Sequence, residues 1–248
     1  MIISSIKKLF LDTLFPISCL SCNKDDEWFC HKCLEKIKLL SEQVCPYCEK
    51  IITDAGQICV HCKEKFLSKN AIIPLDNLII ATSYRENIVS RLVHTYKYNF
   101  VSDLSVPLGK IIIKSILKNN LPLPDLIIPV PLHRRRLRWR GFNQSELLAR
   151  YLSENLTPGM SIPISDNIII RNHYTKPQMK IKNYQERQKN LQNAFSFSKT
   201  FTFLTSLNIL LVDDIATTGS TLFECGKILK KHGAKKVFGI VIARQEIN

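Results

Sequence analysis

Eight of the nine cysteines lie between residues 19 and 62, in four C-x-x-C pairs: Cys19/Cys22, Cys30/Cys33, Cys45/Cys48 and Cys59/Cys62. This spacing lets two thiolates reach one metal ion from a single turn of backbone. Two such pairs close a tetrahedral four-thiolate zinc site with no open position, a structural site rather than a catalytic one. The segments between pairs, 7, 11 and 10 residues long, are too short to bury a core of their own, so metal must hold this part of the chain together. Disulfides are the rival reading. No signal-peptide pattern precedes the block, which favours reduced thiols, a cytoplasmic location and zinc. Four tandem pairs also lack the βαβ surroundings of a thioredoxin-like redox motif. All eight cysteines are therefore expected as zinc ligands. Spacing leaves open whether one ion or two bind, and whether the knuckles pair sequentially or in a cross-braced or nested arrangement. His31 and His61 lie inside knuckles as alternative donors, and Cys225 reads as an ordinary core residue.

Charge divides the chain. Residues 1–70 carry 10 Lys+Arg against 9 Asp+Glu, whereas residues 71–248 carry 25 against 12, so nearly all of the net +14 sits in the second part. Two units with different partners are expected, the basic one suited to phosphorylated ligands or nucleic acid. We expect a zinc-ribbon-like unit over residues 1–68 and an α/β unit over 75–248, joined by a polar stretch that ends near Pro74. No run of about 18 uncharged apolar residues predicts a membrane span. Ile2, Ile6, Leu9, Phe10 and Leu14 share one face of an amphipathic N-terminal helix, expected to pack on the protein, with membrane-surface attachment as the alternative.

The most specific chemistry lies in Leu210-Leu211-Val212-Asp213-Asp214-Ile215-Ala216-Thr217-Thr218-Gly219-Ser220-Thr221. An apolar run reads as a buried strand, and apolar residues at helical spacing from Leu222 to His232, stopped by Gly233, read as a helix. A strand, a small hydroxyl-rich loop and a helix N-terminus make an anion site, and two acids before the loop can grip sugar hydroxyls. No Gly-Lys-Ser/Thr or G-x-G-x-x-G pattern accompanies it, which separates it from nucleoside-triphosphate and dinucleotide loops. The pattern resembles the 5-phosphoribosyl 1-pyrophosphate (PRPP) signature of type I phosphoribosyltransferases.

Strands are expected at 78–84, 126–130, 167–170 and 237–243, and helices at 88–98, 104–119 and 143–156. Their alternation predicts an α/β fold with a mostly parallel, doubly wound sheet. Residues 171–193 read as a polar, basic stretch whose latter part is helix-compatible.

Between strand and helix lies His133-Arg134-Arg135-Arg136-Leu137-Arg138-Trp139-Arg140-Gly141-Phe142-Asn143-Gln144, with five arginines in seven positions. It suits a diphosphate clamp, a single-stranded nucleic-acid contact or a solvated loop. Pro129-Val130-Pro131-Leu132-His133 followed by Arg140-Gly141-Phe142-Asn143-Gln144 resembles the ComF family of competence proteins (ComFC or GntX-like). Tyr84, Tyr96-Lys97-Tyr98, and the spaced set Arg171, Thr175, Gln178, Arg187 and Asn190 ending in Ala194-Phe195 carry the same likeness. So do cysteine knuckles placed before a PRPP-type motif.

The resemblance implies a zinc ribbon joined to a type I phosphoribosyltransferase-like domain, acting in natural transformation and the processing of imported DNA, with a ComFA-type ATPase as partner. It implies that Asp213 and Asp214 meet the ribose hydroxyls and that Ala216, Thr217, Thr218, Gly219, Ser220 and Thr221 cradle the 5-phosphate. Pro131, Leu132, His133 and Arg134 fall at its diphosphate loop. Arg140 lies in its Arg-Gly-Phe-Asn-Gln element, and Arg171, Thr175, Gln178 and Arg187 lie in its flexible loop. Mg2+ would accompany PRPP, and phosphoribosyl transfer to an unspecified acceptor is the implied activity. A non-enzymatic single-stranded-DNA-binding or scaffolding factor is the alternative.

Overall fold

The computed structural model describes residues 17–174, 193–200 and 204–245. The expected N-terminal helix, and Thr175, Gln178, Arg187 and Asn190 of the flexible loop, lie outside the described residues. The elements in chain order are helices α1 (His31–Glu35) and α2 (Val60–Leu67), strand β1 (Asn77–Ser83), helices α3 (Asn87–Tyr98) and α4 (Ser105–Lys118), then strand β2 (Leu126–Pro129). Helices α5 (Arg134–Arg140) and α6 (Gln144–Asn155), strands β3 (Ile169–Arg171), β4 (Phe195–Phe197) and β5 (Asn208–Ala216), helix α7 (Ser220–Lys231) and strand β6 (Lys236–Arg244) complete the described chain.

Four strands form a wholly parallel sheet in the order β1-β6-β5-β2. Its strands are apolar on both faces, as a sheet covered on both sides requires. Side chains alternate between those faces. Leu210 and Val212 of β5, with Ile79, Ile127, Phe238 and Ile240, pack under α3, α4 and α6. Ile209 and Leu211, with Leu78, Ile128 and Val241, pack under α7 and the β3–β4 hairpin. The doubly wound α/β reading holds, with β3–β4 a separate antiparallel pair.

The cysteine segment is built onto this sheet. Cys19, Phe29, Cys30, Cys33, Leu34 and Ile37 share the core beneath α3, α4 and α6. Residues 39–43 then run along the open edge of β1. Leu40 donates its N–H to the Ala81 carbonyl at 3.0 Å. The Gln43 side-chain amide behaves like a strand peptide, donating to the Ile80 carbonyl and accepting its N–H, both at 3.0 Å. An unpaired edge is thereby covered.

The arginine segment corrects the sequence reading, which assigns it no regular element. It forms α5, capped at its start by His133, whose Nδ1 accepts the Arg135 N–H at 3.2 Å. It ends at Gly141, whose left-handed φ of 80° makes a glycine stop. Crowded like charges hid a helix whose caps are both present in the sequence.

Candidate functional site

The carboxyl ends of β2 and β5 open into a cavity of about 590 Å³, where a doubly wound sheet places its ligand. Asp213 and Asp214 enter it from the end of β5, and Thr217 and Thr221 border it from the loop and the first turn of α7. Pro131 and Leu132 line it from the segment after β2, and Arg136 and Arg140 from successive turns of α5. Arg171 and Tyr174 close another side.

The acid pair is held from two directions. Asp213 accepts the Ser145 hydroxyl at 2.9 Å, and Asp214 takes the Lys97 ammonium at 2.9 Å. Burial, with the Asp214 carboxylate beside it, pushes Asp213 up to about 7 against the opposing pull of Lys97 and the Ser145 hydroxyl. Ser145 is fixed because Asn143 caps α6: its Oδ1 accepts the Ser145 N–H at 3.2 Å and its Nδ2 donates to the Val130 carbonyl at 3.1 Å. Tyr96 donates to the Gln144 carbonyl at 2.8 Å and so fastens α3, which carries Lys97, to the same helix start. Both partners of the acid pair thus come from elements far away in sequence.

The loop after β5 is shaped by its own contacts. Gly219 sits at φ 71°, a conformation that disfavours any side chain, and a Cβ there would lie 3.2 Å from the Phe223 ring. The Thr218 and Ser220 hydroxyls bond each other at 2.6 Å beneath the surface. Ala216 is buried as the last residue of β5. Of the six expected loop residues, Thr217 and Thr221 border the cavity, while Ala216, Thr218, Gly219 and Ser220 shape the turn.

The arginines are sorted by helical period. Arg136 and Arg140 face the cavity, while Arg134, Arg135 and Arg138 are exposed. His133 serves as the α5 cap and stacks edge-on with Tyr174, with ring centroids 5.3 Å apart. Burial and the surrounding arginines lower its pKa, which suits a neutral acceptor rather than a base. Arg140 donates to Gln144 Oε1 at 3.0 Å, while the buried Arg140 Nε and Gln144 Nε2 have no hydrogen-bond partner among the described residues. Unpaired buried donors at a cavity wall fit an oxygen-rich anionic ligand. Burial, then Arg136, brings Arg171 down to about 10, so it stays charged at neutral pH. Sequence reasoning missed Lys97 and Ser145 as site residues. Lys97 stood only inside the Tyr96-Lys97-Tyr98 likeness, and no local signal marks Ser145.

The cysteines form two sequential quartets, Cys19/Cys22/Cys30/Cys33 and Cys45/Cys48/Cys59/Cys62, each with its four sulfurs within 4.8 Å of one another. Cys22 and Cys30 sulfurs lie 3.6 Å apart, and Cys48 and Cys59 sulfurs 3.9 Å. Zn–S bonds of about 2.3 Å give tetrahedral edges of about 3.8 Å, so both quartets fit zinc. Backbone N–H groups of Cys30 and Cys59 donate to the Cys19 and Cys45 sulfurs, at 3.5 and 3.3 Å. No described cysteine is in a disulfide. Neither His31 nor His61 joins a quartet, and Cys225 is fully buried in the core. No described helix is long and apolar enough to cross a membrane.

Fold and site together define an α/β protein with a cavity suited to a phosphorylated ligand at the sheet's carboxyl edge and two structural zinc sites in an attached ribbon. Comparison with known proteins narrows this. Residues 10–63 match the double zinc ribbon domain family. The chain is 30% identical over 231 residues to Competence protein F of Haemophilus influenzae, covering 90% of this chain and 95% of that protein. It is 30% identical over 198 residues to the DNA utilization protein YhgH of Escherichia coli K12, covering 78% and 81%. Against Competence protein ComFC of Bacillus subtilis it is 25% identical over 234 residues, covering 89% and 86%. The chain belongs to the ComF family of competence and DNA-utilization proteins.

Proposed function

We propose that this chain binds PRPP in the cavity at the carboxyl ends of β2 and β5 and acts as a phosphoribosyltransferase-like protein in the uptake and processing of DNA. The observation that carries the reading is the Asp213–Asp214 pair, followed at once by the Gly219 turn that starts α7, facing Arg136, Arg140 and Arg171 across one cavity. Asp213 and Asp214 hold the ribose hydroxyls. Loop residues 216–221 and the N-terminus of α7 receive the 5-phosphate. The three arginines neutralise the diphosphate, aided by the Gln144 amide.

Magnesium fits this oxygen-rich setting. The Asp213 and Asp214 carboxylates, which line the cavity, would be the residues to hold it. A magnesium ion bound there would supply charge neutralisation to the leaving group. The protein's own part is to orient the ribose, favour positive charge on the sugar beside two acids, and stabilise the departing diphosphate when an acceptor nitrogen attacks. PRPP with Mg2+ is expected to raise the melting temperature, and Asp213→Asn with Asp214→Asn to abolish the rise. A wild-type protein indifferent to PRPP would overturn the reading. A screen for acceptor-dependent pyrophosphate release then identifies the acceptor.

A second reading has its own support. The outer face of α5 exposes Arg134, Arg135 and Arg138, and Trp139, which borders the cavity, is 60% exposed with Phe100 edge-on to its ring. Cations beside exposed aromatics suit single-stranded DNA. Oligonucleotide binding that weakens steeply with salt, and weakens further in Arg135→Ala with Arg138→Ala, would favour it. The two readings are compatible. For a ComFA-type ATPase partner and a cytoplasmic location, the support is the family likeness. The docking face would be the ribbon, where Ile52 and Val60 are exposed. Val60→Glu in the zinc-loaded full chain should then lose the partner in a pull-down, and retention would count against that face.

A further inference from the structure

The Cys45/Cys48 knuckle of the second quartet touches the loop assigned above to the phosphate. Cys45-Pro46-Tyr47-Cys48 ends in Glu49, whose backbone turns left-handed at φ 57° and whose N–H is donated to the Cys45 carbonyl at 2.9 Å. The Glu49 carboxylate pairs with the guanidinium of Arg244 at the end of β6. Arg244, only 14% exposed along its side chain, donates its Nε to the Thr217 carbonyl at 2.9 Å. One guanidinium therefore joins the knuckle to the first residue of the loop.

Tyr47, inside the same knuckle, makes a second connection. Its hydroxyl accepts the Leu75 N–H and donates to the Leu75 carbonyl, both at 2.8 Å, which locks the ring's position. The ring stacks on Phe223 with centroids 5.1 Å apart and an interplanar angle of 21°. Phe223 lies in the first turn of α7 and donates its N–H to the Gly219 carbonyl at 2.9 Å. Two contacts, one ionic and one aromatic, thus fix both ends of the Thr217–Gly219 turn to a single metal knuckle.

We infer that Arg244, held by Glu49, and Phe223, held by Tyr47, are positioning residues through which the Cys45/Cys48 knuckle sets the shape of the phosphate loop. The inference rests on the proposed role of that loop. It separates the two cysteine quartets: the first shares the core under α3 and α4, whereas the second acts on ligand binding. A loop whose backbone N–H groups must converge on one anion is sensitive to displacements well under an ångström. Removing the charge of Glu49 leaves Arg244 its Thr217 contact but frees its far end.

The test uses the zinc-loaded full chain and ribose 5-phosphate, which probes the phosphate loop without the diphosphate. Glu49→Gln and Arg244→Gln are expected to weaken ribose 5-phosphate binding about tenfold, the size of one charge-assisted hydrogen bond. Their effects should be non-additive in the double variant, and Arg244→Lys should recover part of the loss. In the ligand-free protein, the same variants should speed amide hydrogen exchange at residues 217–219, while α4 and the zinc content stay as in wild type. If wild type does not bind ribose 5-phosphate, the proposed function of the loop fails. The exchange measurement still decides the coupling. Unchanged exchange at 217–219 in both single variants, or loss of binding that is additive and not relieved by lysine, would overturn the inference.

Discussion

Asp213 is where the site's chemistry and the protein's stability meet. Its carboxyl, ordinarily near 3.8, is raised to about 7 by burial and by Asp214. The folded protein therefore holds this proton more tightly than the unfolded chain. The group's contribution to stability is fully present below about pH 4 and is lost as pH rises through about 7. Subtracting the stability–pH curve of Asp213→Asn from that of wild type should reveal this slope between pH 4 and 7, and parallel curves would contradict it. Lys97 opposes the rise, so Lys97→Met should move the Asp213 titration further up, read from its side-chain carbon shift. The acid pair was legible in the sequence because it is followed directly by its loop. Lys97 and Ser145 were not, because their pairing with the acids depends on where α3 and α6 are docked. Ser145 lies 68 residues from Asp213, and no local pattern records such a distance.

Among the elements, the strands and longer helices follow from apolar periodicity. Expected and observed limits agree closely for β1, α3, α6 and α7. Helices α1 and α2 and strand β4 were not expected, nor was α5, where five arginines looked like a loop. Its period decides which of them serve the cavity: Arg136 and Arg140 do, and Arg134 does not. Salt dependence of oligonucleotide binding should accordingly drop in Arg135→Ala with Arg138→Ala, while PRPP binding is retained. Equal loss of both would mean that the two faces of α5 are not separate. The edge of β1 is the other element the sequence could not show, since Gln43 carries no mark of its role. It is buried, with both ends of its amide bonded to Ile80. Gln43→Ala should cost about 1–3 kcal/mol in denaturant unfolding, the penalty for stranding a buried peptide group, and a change within error would contradict that account.

Across the whole molecule, ribbon and sheet are interlocked. Spacing alone predicted zinc but could not choose between one ion and two, and the sequential quartets settle the arrangement of the ligands. Two zinc ions per chain are expected by metal analysis. Chelation should unfold more than the ribbon, because residues 39–43 and the core around Cys30 support the sheet. We propose that the two expected units, residues 1–68 and 75–248, work as one for this reason. Residues 175–192, which hold Thr175, Gln178 and Arg187, leave their share of the site as an expectation from family likeness. We propose that the cavity at the end of β5 recognises PRPP through Asp213 and Asp214. Calorimetric titration of zinc-loaded wild-type protein with PRPP and Mg2+, beside the Asp213→Asn, Asp214→Asn variant, tests it directly. Saturable one-site binding by wild type and none by the variant is the predicted result. Absence of wild-type binding, or equal binding by both proteins, would contradict it.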